Sequence, residues 1–312
     1  MRRLRHYAEY LAVRFLICFV QALPLEFWTK ASRTLGWVLY DVVKLRRGVI
    51  EENLQFAFPD ATTAQRDAIG RDTYSHLLLM VCEIAHAPRK IHETNWKQHF
   101  VVRDKPAMVR LLLDPRPVVL VSAHYGNFEL GGYMLGMLGL PTFTVARTLD
   151  NPYLDAFVNR FREAKGQFIV DKSGSAGQID EVLARGGKLL LLGDQHAGPK
   201  GCWVEFFGRP ASCHKAIAVF PLSAGAPLAV AYNRRRLGKE PLQFEMGLHS
   251  HLDPRQGNAV LTGVKPVTQW YNQQLEQLIR EYPSQYWWVH RRWRDAPAKA
   301  KKSATESVAR AA

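Results

Sequence analysis

The sequence predicts an α/β fold: a mixed, largely parallel central sheet covered by helices on both sides, with an N-terminal membrane-associated helix ahead of it. Three observations carry this expectation. From residue 117 onward, short apolar runs alternate with stretches of helical periodicity. Those runs are apolar throughout rather than at every second position, as in strands buried on both faces. The first 26 residues combine arginines with a short apolar stretch and read as a separate element.

In chain order, Arg2, Arg3 and Arg5 precede an apolar stretch over 11–25 that is broken by Arg14, Gln21 and Pro24. Roughly 20 uninterrupted apolar residues are needed to span a bilayer, and this stretch falls short. Ala22-Leu23-Pro24 is a poor cleavage site, and helical pattern continues through Phe27, Ala31, Leu35 and Val38, which suits a retained element. We read residues 1–26 as an interfacial or partly inserted anchor with its arginines on cytoplasmic headgroups. An apolar helix packed on the domain is the alternative. Residues 27–297 form the main domain, and 298–312, rich in Ala, Lys and Ser, form a disordered basic tail.

Between 53 and about 100 the pattern is helical, with Leu77, Leu78, Val81, Ile84 and Ala85 at helical spacing and Pro88 and Pro106 as punctuation. Residues 117–123 form a strand, 127–138 a helix and 141–146 a strand. The helix over 151–165 carries the stripe Leu154, Phe157, Val158, Phe161 and stops at Gly166. A strand over 167–170, a helix over 176–184 closed by Gly186-Gly187, and the apolar strand 188–192 follow. A short helix at 215–224, strands at 228–232 and 242–248, and a helix over 268–281 with Tyr271, Leu275, Leu278 and Tyr282 on its buried face complete the domain.

A chain of 312 residues with 47% hydrophobic content is ordinary for a globular protein, but the charge is not. The 42 Lys and Arg against 28 Asp and Glu give +14, which calls for an anionic partner: nucleic acid, an anionic membrane or an acidic substrate. No helix-turn-helix, RNP or zinc-finger pattern supports nucleic acid. Cys18, Cys82, Cys202 and Cys213 are scattered without a C-x-x-C pair, and read as reduced thiols rather than a disulfide framework.

The chemistry-bearing stretch is 118–129. An apolar strand delivers His124 to its end, and Glu129 follows across a Gly126-Asn127 turn at the start of a helix. Open α/β sheets hold their sites at such rims, and a histidine steered by a carboxylate is a general base. Three more groups sit at expected strand ends: Arg147; Asp194-Gln195-His196 with Gly198, Lys200 and Gly201; and 206–210, Phe-Phe-Gly-Arg-Pro. If the strands are parallel, Arg147 and Asp194 share the rim with His124, and the loop after Asp194 presents N–H groups and an ammonium to phosphate. Each also has a plain structural use: Arg147 in a surface ion pair, Asp194 as a turn cap, the glycines as turn formers. The aromatics Tyr286, Trp287, Trp288 and Trp293, interleaved with His290, Arg291, Arg292 and Arg294, suit a core or a headgroup belt.

Together these motifs resemble the late acyltransferases of lipid A biosynthesis, the lauroyl and myristoyl transferases within the wider lysophospholipid acyltransferase group. The hallmark, a histidine, four residues and an acid, is His124 to Glu129, with Tyr125 and Phe128 standing where the family more usually has Phe and Trp. Arg147 with Asn151-Pro152, Asp194-Gln195 with Gly198 to Gly201, 206–210 and 283–293 follow in the family's order. The resemblance implies acyl transfer at the cytoplasmic face of the inner membrane, from acyl carrier protein (or acyl-CoA) to a hydroxyl of a phosphorylated glucosamine disaccharide lipid, with no cofactor and no metal. It makes His124 the general base and Glu129 the group that fixes its tautomer. Asn127 opens the helix whose start offers an oxyanion donor, Arg147 and Lys200 grip an acceptor phosphate, and Asp194 with Gln195 binds sugar hydroxyls or holds Arg147. Another glycolipid or a lysophospholipid as acceptor is the alternative within the class. Outside it stand a metal-dependent hydrolase using His124, Glu129, Asp194, His196 and His214, for which no H-E-x-x-H spacing appears, and a non-catalytic membrane binder.

Overall fold

The computed structural model describes residues 1–171, 176–238, 240–257 and 259–294. The helices are α1 (Arg2–Ala22), α2 (Leu25–Trp37), α3 (Arg47–Ala57), α4 (Thr63–Lys90), α5 (Lys105–Leu112), α6 (Phe128–Met137), α7 (Pro152–Glu163), α8 (Ala176–Ala184), α9 (Ala216–Ala224) and α10 (Val264–Glu281). The strands are β1 (Phe100–Val102), β2 (Val118–Ser122), β3 (Thr142–Ala146), β4 (Gln167–Asp171), β5 (Lys188–Leu192), β6 (Cys202–Phe206), β7 (Arg209–Cys213), β8 (Leu228–Arg235) and β9 (Phe244–Leu252). Seven strands form one sheet in the order β1-β9-β8-β2-β5-β3-β4, parallel throughout except for the β8–β9 pair. The expected mixed, largely parallel sheet is therefore what the chain builds.

Period-two geometry explains why its strands read as unbroken apolar runs. All five residues of β2 are buried. Val119 and Val121 enter one core with Leu189, Leu191, Ile217, Tyr271 and Leu275, while Val118 and Leu120 enter the opposite core with Leu190, Leu130, Met134 and Phe244. Neither face of β2 sees water, so neither favours polar residues there.

Three parts of the chain depart from expectation. Residues 202–213 form a two-stranded hairpin outside the main sheet, and the 206–210 motif is its turn rather than a strand end, with Phe207 and Gly208 at φ 52° and 69°. The signal was present in the alternation of buried Cys202, Val204 and Phe206 with exposed Glu205. The short β1 and α5 precede the first expected strand, and α10 begins four residues earlier than the periodicity indicated.

At the amino end, α1 and α2 meet at a bend of 116°, and no single described helix is long and apolar enough to cross a membrane. Gln21 and the Asn151 amide tie α1 to α4 and α7, through the Ala85 carbonyl and the His6 carbonyl at 2.5 and 2.8 Å. The exposed apolar surface includes Leu11, Phe15, Leu16 and Phe19 on α1 and does not stop at residue 26: Phe27, Leu35, Trp37, Val42, Val43 and Leu45 continue it. The tail assigned to 298–312 lies outside the described residues.

Candidate active site

The strand order decides which expected rim residues meet. Because β2 pairs directly with β5, the residues that leave their C-terminal ends, His124 and Asp194, are neighbours. The His124 Nδ1 lies 2.8 Å from Asp194 Oδ1, and the His124 main-chain N–H donates to Asp194 Oδ2 at 3.0 Å. The carboxylate therefore grips the histidine by backbone and ring together. With the proton on Nδ1 facing an ionised carboxylate, Nε2 keeps its lone pair. That nitrogen opens into a cavity of about 190 Å³ lined by Arg46, Gln195, Trp287 and His290, with the Gln195 amide nitrogen 3.3 Å away. Phe128 and Trp287 wall the imidazole edge-on, at ring-centre distances of 4.9 and 5.2 Å.

Burial alone would push the His124 pKa down. The charge and hydrogen bond of Asp194 outweigh it, with a smaller contribution from Glu129, and leave the imidazole above its ordinary 6.5. Burial likewise opposes ionisation of Asp194, but His124, and more weakly the buried Arg292 guanidinium, hold its carboxyl below the usual range. Burial drives His290 down to about 4, so its neutral Nε2 accepts the His196 amide at 3.1 Å and fixes the loop after Asp194.

Glu129 does not orient the imidazole. Its two oxygens accept from Arg162 of α7, Nη2 at 2.5 Å and Nε at 3.0 Å, which leaves Asp194 as the carboxylate hydrogen-bonded to the ring. The carboxylate opens α6 in its first turn, where the offset of five residues turns it toward α7 rather than back to the strand end. Asp194 accordingly holds His124, not Arg147. Arg147 does lie at the same rim, but β5 stands between β2 and β3, a lateral separation of roughly 10 Å at about 4.8 Å per strand. There it is exposed and pairs with Asp150 at 2.9 Å.

Asn127 is fully buried as the N-cap of α6, accepting the Leu130 amide at 3.3 Å and donating to Glu83 at 3.2 Å. Its side chain is spent inside the protein and does not face a substrate. Lys200 is exposed in the turn before β6 and does not line the cavity at His124. Among the described residues, no three His, Cys, Asp or Glu side chains are placed to hold a metal ion.

The loop that carries His124 is pinned from below. Gly126 donates to the Gln285 carbonyl and Asn127 to the Asn233 carbonyl, both at 2.9 Å, and Trp287 donates to the His124 carbonyl at 3.0 Å. Among the described residues, the Phe128 and Glu129 amides at the start of α6 have no such acceptor, as first-turn amides of a helix do not. Under the loop lies a buried pair, Glu83 with Arg235, whose guanidinium donates at 2.8 and 2.6 Å. His76 accepts from the same Arg235 at 2.7 Å and reaches the Gly126 carbonyl at 3.2 Å. Beside Phe128, a narrow cleft lined mostly by apolar side chains, among them Met108, Leu112, Leu135 and Met246, runs down between sheet and helices.

A strand-end imidazole aligned by a buried carboxylate, next to helix-start amides and an apolar cleft, is an arrangement with the parts that general-base transfer of an acyl group needs. The chain belongs to the bacterial lipid A biosynthesis acyltransferase family, whose model matches residues 1–295. It is similar to the lipid A biosynthesis lauroyltransferase of Escherichia coli K12, 24% identical over 94% of this chain and 93% of that one. The palmitoleoyltransferase of the same organism is 22% identical over the same shares. Among solved structures, the 1-acyl-sn-glycerophosphate acyltransferase of Thermotoga maritima superposes at a TM-score of 0.40 with 10% identity, over 85% of this chain and all of that one.

Proposed function

We propose that this acyltransferase moves a fatty acyl chain from an acyl carrier protein thioester to a hydroxyl of a phosphorylated glucosamine disaccharide lipid, at the cytoplasmic face of the inner membrane. The observation that carries the mechanism is the double hydrogen bond from His124 to Asp194. A thioester is already activated, so no covalent nucleophile is needed. The acceptor hydroxyl takes the place of the Gln195 amide at His124 Nε2, gives up its proton there, and its oxygen attacks the thioester carbonyl. Asp194 stabilises the imidazolium that forms. The Phe128 and Glu129 amides receive the developing oxyanion. Collapse breaks the carbon–sulfur bond, and the proton passes from Nε2 to the departing thiolate.

The acyl chain enters the apolar cleft beside Phe128. That cleft holds about 40 Å³, room for a few waters at most and not for a fatty acyl chain, so Phe128 and its neighbours move aside when the chain enters. The exposed apolar residues of α1 and α2, flanked by Arg2, Arg3 and Arg5, supply the face that meets the membrane.

The test is reconstitution of the full chain with acyl carrier protein thioester and the lipid acceptor, read by mass spectrometry. The expected product is heavier by one ester-linked acyl group, and a folded His124→Ala variant forms it at under a tenth of the native rate. A variant keeping more than that rules out the base; no transfer by the native chain rules out the reaction.

A further inference from the structure

The groups expected to grip a phosphate, Arg147 and Lys200, do not line the cavity at His124, yet the structure builds a basic basin that shares a wall residue, Arg46, with it. A cavity of about 500 Å³, within the 300–1,000 Å³ typical of small-molecule sites, is lined by Lys44, Arg46, Arg47, Arg291 and Arg294, with Glu52 as the one carboxylate among the described residues. Arg46 belongs to both cavities: it also lines the space around His124, Gln195 and His290.

The cations are not equally paired with carboxylates. Arg47 is committed to Glu51 at 2.6 Å, with Asp67 and Asp41 near. Lys44, Arg46 and Arg291 form no ion pair with a carboxylate among the described residues, and all three are exposed. Crowding like charges in a concave wall costs stability and concentrates anions.

The wall is also built rather than draped. Lys44 and Arg46 sit at φ 54° and 49°, a left-handed conformation that non-glycine residues adopt at a cost. The Tyr74 hydroxyl donates to the Leu45 carbonyl between them. On the other side, the buried Asn53 amide of α3 donates to the carbonyls of Trp288 and His290 at 2.6 and 2.7 Å, locking the two halves of the basin together.

We infer that this basin binds a phosphate on the sugar headgroup of the acceptor lipid and so sets the acceptor hydroxyl against His124, an inference that rests on the proposed acyl transfer. Lys44 and Arg291 supply charge from the two walls, and Arg46 bridges the phosphate to the reacting end.

The experiment uses the full-length protein with Lys44→Ala and Arg291→Ala, singly and together, and Lys44→Arg as the charge-keeping control. Two acceptors are compared, the phosphorylated disaccharide lipid and the same lipid after its phosphates are removed. Each alanine variant is expected to raise KM for the phosphorylated acceptor about tenfold. Its kcat and its KM for the thioester donor stay within twofold, Lys44→Arg behaves as native, and the loss shrinks below twofold on the dephosphorylated acceptor. Equal losses on both acceptors, or no loss on either, overturn the assignment. So does a loss confined to donor KM, which would give the basin to the phosphate of the donor's pantetheine arm. Transfer by the native chain checks the underlying reaction; the ratio between the two acceptors checks this site.

Discussion

The chemistry proposed for His124 rests on a residue 70 positions away. The Asp194 carboxylate fixes the proton on Nδ1, aims Nε2 at the cavity and raises the imidazole pKa, while Glu129 acts on the ring only through space. Glu129 and Arg162 are about four-fifths buried together, and removing either leaves the other as an uncompensated charge, typically a loss of about 3–5 kcal/mol. We therefore expect Glu129→Ala and Arg162→Ala to lose activity by similar factors, and the double variant to be no worse than either. Turnover assays on the three folded variants check this; full activity in Arg162→Ala alone would show that Glu129 works on His124 without its partner. His124 was legible in the sequence because a histidine ending an apolar run must emerge at a sheet rim. Its orienting acid was not, since local spacing favoured Glu129 and only the pairing of β2 with β5 brings Asp194 beside the ring.

The loop from His124 to Asn127 is held by three elements that its own sequence does not contain: α4 through Glu83 and His76, β8 through Arg235 and Asn233, and the segment after α10 through Gln285 and Trp287. Glu83 is fully buried and accepts from Arg235, Asn127 and the Leu242 amide. Glu83→Ala leaves the Arg235 guanidinium buried without its carboxylate and should cost about 3–5 kcal/mol. Urea unfolding measures it, and a change below about 1 kcal/mol would show that the network does not hold the loop. Gly126 could not be replaced cheaply: at φ 61°, a Cβ there would lie 2.1 Å from the Asn233 carbonyl oxygen. The parallel strands and their helices were readable from apolar runs and glycine stops. The buried network was not, because Glu83 and Arg235 lie 152 residues apart and each reads alone as a solvated charge.

Across the molecule, charge and apolar exposure fall in a consistent arrangement. A net charge of +14, arginines at the start of α1, and uncovered apolar side chains on α1 and α2 give a protein suited to an anionic lipid surface. Replacing Phe15 and Phe19 together by Asp should cut sedimentation with anionic vesicles at least tenfold and leave far-UV circular dichroism unchanged; undiminished sedimentation would place the membrane face elsewhere. The composition called for an anionic partner but gave no sign of where the cations gather, since Lys44, Arg46 and Arg291 are joined only by the fold. The decisive measurement is the pH dependence of kcat/KM for the native enzyme and for Asp194→Asn. The base acts when deprotonated, so the native ascending limb should lie above pH 6.5, where Asp194 sets it. Asp194→Asn removes that charge and leaves the burial that lowers the imidazole pKa. Its limb should move to lower pH, with the plateau falling about 10²–10⁴-fold. An unmoved limb in Asp194→Asn would contradict the pairing of His124 with Asp194 on which the mechanism stands.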